Sequence, residues 1–94
     1  MNLVVEDESI GESIGIGEAV DISLGGLRVR DLPTHSDVRA GDQLGLLLMN
    51  EEQALSLRAE VVHHGTPDSF GVEFRELSSS ARAGIDILLQ RMHT

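Results

Sequence analysis

Apolar and polar positions alternate with a period of two along the first three quarters of the chain, the signature of strands with one buried face. Ile14, Ile16, Val20, Ile22 and Leu24 fall on every second residue, with Glu18 in the gap. This predicts a strand that buries its even-numbered face. Leu3 to Val5 is a shorter apolar run and a candidate partner strand, joined through the acidic turn Glu6-Asp7-Glu8. Gly25-Gly26 punctuates the pattern, after which Leu27, Val29 and Leu32 are interleaved with Arg28, Arg30 and Asp31. A second strand paired back on the first is expected there.

Turn formers at both ends mark Pro33 to Asp42 as a loop. Gln43 to Met49 is apolar enough to be a strand buried on both faces, and Asn50-Glu51-Glu52-Gln53 is a polar break. Leu55, Leu57, Ala59 and Val61 then alternate with Ser56, Arg58 and Glu60. Gly65 to Ser69 reads as a turn, and Phe70, Val72 and Phe74 alternate again. Short strands broken at this spacing suggest a small barrel or sandwich.

Near Leu77 the period changes to that of a helix. Ala81, Ile85, Leu88, Leu89 and Met92 form one helical stripe, which predicts a helix over about 78–92. Ser78, Ser79 or Ser80 can cap it, its hydroxyl accepting an otherwise unpaired backbone N–H. With no linker, repeat or low-complexity tract in the 94 residues, one domain over 1–94 is expected.

Composition narrows the function. Sixteen acidic against 7 basic side chains give a net charge of −9, which disfavours DNA, RNA and anionic membrane surfaces as partners. The absence of cysteine removes disulfides, zinc–thiolate sites and a thiol nucleophile. The longest aliphatic run, Leu46 to Met49, is far too short to span a bilayer. Met1-Asn2 opens with neither a basic nor a long apolar segment, so no secretory leader is expected and a cytoplasmic location is.

His63-His64, with His35 or His93, is the nearest approach to a metal site. Adjacent strand residues point to opposite faces, and no carboxylate spacing completes a ligand set, so no metal is expected. Ser23 has no nearby histidine, and neither a nucleophile elbow nor a phosphate loop is present. No catalytic residue, and hence no enzyme, is expected.

The informative stretch is Asp21-Ile22-Ser23-Leu24-Gly25-Gly26. Continued as a strand, it would put Asp21 and Ser23 on one face, opposite Ile22 and Leu24. A carboxylate accepts from amide or imino donors, and a hydroxyl both donates and accepts. Gly26 can take positive φ and bring the backbone close to a flat ligand such as a purine edge. The plain alternative is a hairpin with a polar outer face.

This stretch resembles the Asp-x-Ser-x-x-Gly hallmark of the PilZ family of bacterial second-messenger receptors, with Asp21, Ser23 and Gly26 at its fixed positions. The landmarks that follow are similar to that family too: Gly41-Asp42, Gly71-Val72-Glu73-Phe74 and Leu77-Ser78, in that order. The resemblance implies an all-β fold with a C-terminal helix, a six-stranded antiparallel β-barrel plus one α-helix. It also implies cyclic di-GMP as ligand, bound by Asp21, Ser23 and Gly26, with no resident cofactor. The function it implies is non-enzymatic regulation of motility, adhesion or biofilm polysaccharide through a protein partner.

One part of the family pattern is missing. Cyclic di-GMP receptors of this kind carry Arg-x-x-x-Arg before the first strand, where planar guanidinium forks meet phosphate and stack on guanine. Here residues 1–27 hold six acids (Glu6, Asp7, Glu8, Glu12, Glu18, Asp21) and no base. Arg28 and Arg30, alternating on one strand face, are the auxiliary candidates. Three readings stay open: an adaptor that binds the nucleotide weakly or not at all, a true receptor whose arginines lie upstream of Met1, and an unrelated small β-barrel that binds a partner or carbohydrate.

Overall fold

The computed structural model describes residues 1–7, 11–32, 38–49, 54–66 and 69–92, the side chains of Glu12, residues 63–66 and Met92 excepted. Six strands and one helix follow in order: β1 (Asn2–Asp7), β2 (Glu12–Val20), β3 (Gly26–Arg30), β4 (Gln43–Met49), β5 (Ala54–Thr66), β6 (Ser69–Arg75) and α1 (Ser79–Met92). The strands close into an antiparallel barrel in the order β1-β2-β3-β6-β5-β4, with β1 sealing it against β4. Closure leaves no sheet edge exposed. The fold expected from the resemblance is therefore the one observed.

Most inward faces follow the alternation. Leu27 and Val29 of β3, Leu57, Ala59 and Val61 of β5, and Phe70, Val72 and Phe74 of β6 are buried. Leu3 and Val5 join them from β1. In β4 only Leu44, Leu46 and Leu48 are buried, while Leu47 and Met49 are half-buried on the outer wall. The expectation of a strand buried on both faces is corrected: a barrel strand has one inner face, and among the described residues no second layer covers β4 from outside.

β2 departs furthest from its reading. Its buried residues are the odd-numbered Gly17 and Ala19, and Ile16 is 62% exposed. The cause is crowding inside. A β-carbon on Gly17 would stand 2.9 Å from the Arg30 carbonyl oxygen and 3.3 Å from a Val29 methyl, so only small residues fit that face. A register shift opposite Val5 and Glu6 turns Ile14 back against the core. Nor does the strand continue to Leu24. It ends at Val20, because Asp21 adopts φ 51°, a left-handed conformation that aspartate tolerates better than most residues. The predicted Glu6-Asp7-Glu8 turn is also shifted, since Glu6 and Asp7 still pair with Ser13 and Glu12 within the sheet.

The helix starts where expected. Ser78 Oγ accepts the Ala81 N–H at 3.1 Å, which makes Ser78 the cap. Ile85 and Leu88 are buried, with Ala81 and Leu89 packed half-buried beside them. Gly84 lets α1 approach β5 closely, its absent β-carbon position lying 2.9 Å from Leu55 Cδ1. No described helix is long and apolar enough to cross a membrane. Of the four histidines, His35 and His93 lie outside the described residues, as do the side chains of His63 and His64.

Candidate functional site

The link between β2 and β3 is held by one serine. The Ser23 amide donates to the Gly26 carbonyl at 2.9 Å. Its hydroxyl accepts from the amides of Gly25 and Gly26 at 3.2 Å each, and donates to the Gly26 carbonyl at 3.2 Å. One O–H and two lone pairs are all a serine hydroxyl has, so its capacity is taken up inside the turn. Phe74 N–H donates to the Gly25 carbonyl at 2.9 Å, which pins the turn to β6.

Gly26 itself lies in β3, and its φ is not positive. The expectation of a left-handed glycine is corrected: the positive φ sits at Asp21, and Gly26 answers a packing demand instead. A β-carbon at Gly26 would collide with the Val72 carbonyl oxygen of the neighbouring strand. That strand pairing, Gly26 with Glu73 and Leu27 with Val72, sets the turn beside the C-terminal half of β6.

Around this turn the surface forms an open concavity of about 530 Å³, lined by Asp21, Ser23, Gly25 to Arg28, and Gly71 to Glu73. Asp21, Ser23, Gly26 and Arg28 thus meet in one place, but by a turn and not along one strand face. Arg30 is not among the lining residues. It shares the outer face of β3 with Arg28, yet its guanidinium pairs with Glu18 at 2.8 Å and Asp31 at 3.6 Å. Gly71 and Glu73 are contributors that the sequence reading used only as a strand landmark. A carboxylate at the outward position of that strand was the available signal.

Charge in the concavity is mixed. Arg28 Nε stands 3.9 Å from an Asp21 carboxylate oxygen, and its Nη1 donates to the buried Ser69 hydroxyl at 3.2 Å. Asp21 is well exposed, so this pair contributes little to stability. Glu73 faces Arg75, whose Nη1 donates to it at 3.0 Å. Arg75 also reaches Glu60 at 3.4 Å. The Gln43 amide donating at 2.9 Å, then Arg75, holds the Glu60 carboxyl below the ordinary carboxylate range. Glu73 and Glu60 in turn push the Arg75 guanidinium further up. The lining offers two carboxylates and one guanidinium.

Such a surface can accept from the N–H edge of a planar base at Asp21 and offer one cation to an anionic group at Arg28. Among the described residues its lining includes no second arginine to grip a phosphate from the other side.

A comparison with curated proteins gives no match. The family model described as PilZ domain matches residues 3–91. That span takes in all six strands but for Asn2, and all of the helix but for Met92, which sets aside the reading of an unrelated barrel. The chain belongs to the PilZ domain family.

Proposed function

We propose that this chain is a regulatory adaptor module of cyclic di-GMP signalling that, as these 94 residues, binds the nucleotide weakly or not at all. The PilZ family is one of non-catalytic receptor and adaptor domains, so a regulatory, non-enzymatic role follows from membership. The finer statement rests on a single observation. The concavity beside Asp21 and Gly26 carries one arginine against two carboxylates, and residues 1–27 add six acids and no base. A ligand with two phosphates meets one guanidinium there, and that guanidinium is already engaged by Asp21 and Ser69.

A second reading is favoured by the state of the turn. Asp21 is exposed in the left-handed conformation and Gly26 is packed on Val72, which leaves the Asp21 carboxylate open to the N–H edge of a base. An arginine-bearing segment supplied from outside these residues would then complete a receptor. Isothermal titration of the 94-residue chain with cyclic di-GMP tests the first reading, and the same titration of the intact gene product separates it from the second. The 94-residue chain should give no resolvable heat at micromolar concentration. Micromolar affinity would overturn the adaptor reading.

A further inference from the structure

The most exposed large aliphatic side chain described, Ile16, is not isolated. It pairs across the sheet with Val4, and Val4 pairs on its other side with Leu47. All three stand on the outer wall, since their neighbours Leu3, Gly17, Leu46 and Leu48 are the buried ones. Directly opposed residues in adjacent strands bring their side chains to about 5 Å, so Ile16, Val4 and Leu47 make one apolar row across β2, β1 and β4. Met49, half-buried and two residues from Leu47 on the same face, extends it. Beside Leu47 the missing side chain of Gly45 opens a dimple of about 120 Å³, bounded by Glu6, Leu46, Leu47 and Ser56.

Glu6 lies on one side of this row and Glu18, already paired with Arg30 at 2.8 Å, on the other; β1, β2 and β4 contain no lysine or arginine, and Arg58 of β5 stands opposite Gly45. Glu6 has no ion-pair partner among the described residues. A second copy seated here would bring like charges together within a chain of net charge −9, so self-association is disfavoured. An apolar row beside the unpaired Glu6 carboxylate is complementary to an aliphatic anchor with a cation next to it. In the closed barrel β1 stands three strands away from β6 in either direction, so this wall lies across the molecule from the Asp21 concavity.

We propose that the β2-β1-β4 wall is a docking surface for a protein segment that presents an aliphatic side chain flanked by lysine or arginine, the aliphatic group covering Ile16, Val4 and Leu47 and a cation meeting Glu6. It names a partner chemistry for the adaptor reading but does not share its test, because nucleotide affinity reports on the opposite wall.

The probe is a short peptide of alternating leucine and lysine, titrated at moderate salt into the isotope-labelled 94-residue chain and followed by amide chemical shifts. A peptide of alternating leucine and glutamate serves as the counter-probe. Shifts should gather on β1, β2 and β4, and the lysine peptide should bind at least about tenfold more tightly than the glutamate peptide. Ile16→Asn should weaken the lysine peptide by about tenfold with an unchanged melting temperature, whereas Ile87→Asn on the exposed side of α1 should leave binding as it was. Shifts spread over the whole surface, equal affinity for both peptides, or equal losses in the two variants would overturn the proposal. So would a dimer in sedimentation that Ile16→Asn dissolves, since the wall would then be covered by a second copy.

Discussion

Gly26 lies so close to the Val72 carbonyl that the backbone of β6 occupies the space a side chain at Gly26 would need. The obstacle is backbone, which cannot swing aside as a flexible side chain can. Gly26→Ala should therefore destabilise by at least about 2 kcal/mol, within the usual cost of forced overpacking, and lower the melting temperature by about 8 °C or more. Gly25, with nothing within 4 Å of its β-carbon position, supplies the control. Gly25→Ala should melt within a few degrees of the parent. Equal melting of the two variants would show that β3 and β6 separate easily at this point.

The same glycine shows where sequence reasoning holds and where it stops. That Asp21, Ser23 and Gly26 gather at one site was legible from their spacing, and so was the strand-glycine-strand course around them. How they gather was not. Gly26 was expected to bend the chain, but the bend falls at Asp21, and Gly26 is required by a neighbour 46 positions later in the chain, Val72. The misread face of β2 has the same origin. A large-residue pattern at Ile14, Ile16, Val20 and Ile22 outweighs Gly17 and Ala19 on any hydropathy scale, yet interior space admits only the small set. Period-two alternation identifies strands, whereas which face turns inward depends on what the opposite strands already fill. β3 and β6 carry large apolar residues on one face only, and there the pattern and the packing agree.

The helix stripe gives a second test. Ile85 and Leu88 are buried to 0% and 2% exposure, whereas Ile87 between them is 45% exposed. Leu88→Ala should cost about 2–5 kcal/mol, as buried leucine truncations do. Ile87→Ala should change stability by less than about 0.5 kcal/mol, as surface substitutions do. Urea melts that rank the two variants in the other order would mean α1 sits on the barrel through a different face.

Ser23 offers a way to separate architecture from recognition. Its hydroxyl serves the amides of Gly25 and Gly26 and the carbonyl of Gly26, so Ser23→Ala should cost about 1 kcal/mol, the net worth of a typical hydrogen bond. Amide exchange at Gly25 and Gly26 should quicken while the strand amides of β3 stay protected. Unchanged exchange at both glycines would place the serine's role outside the turn.

Acid titration probes the Gln43–Glu60–Arg75 ladder. The Glu60 carboxyl is held below its ordinary value, chiefly by Gln43 and next by Arg75. A carboxyl whose folded pKa is depressed stabilises the fold above the unfolded pKa, and the contribution disappears as pH falls through the folded value. Carbon-detected titration should thus find the Glu60 midpoint below the model-peptide value of about 4.3. Gln43→Leu should raise that midpoint, and so should Arg75→Met, which removes both a hydrogen bond and a positive charge. Identical midpoints in the parent and Gln43→Leu would show that the amide contact does not persist in solution.

Restoring the missing arginines would show whether Asp21 can still hold a guanine edge. Each charge-assisted hydrogen bond to phosphate is worth about 1.5–3 kcal/mol, so lacking even two weakens binding by roughly a hundredfold or more at 1.4 kcal/mol per tenfold. Placing Arg-x-x-x-Arg on a short flexible segment ahead of Asn2 should then bring cyclic di-GMP affinity into the micromolar range, with a steep fall as salt is raised. Asp21→Ala in that background should abolish the gain, because the exposed carboxylate is the acceptor the guanine edge requires. Arg28→Ala should weaken it only partly, since Arg28 already divides its donors between Asp21 and Ser69. If the added arginines bring no affinity, or bring affinity that survives Asp21→Ala, the concavity beside Gly26 is not a nucleotide site, and the domain's signalling role lies in its protein contacts alone.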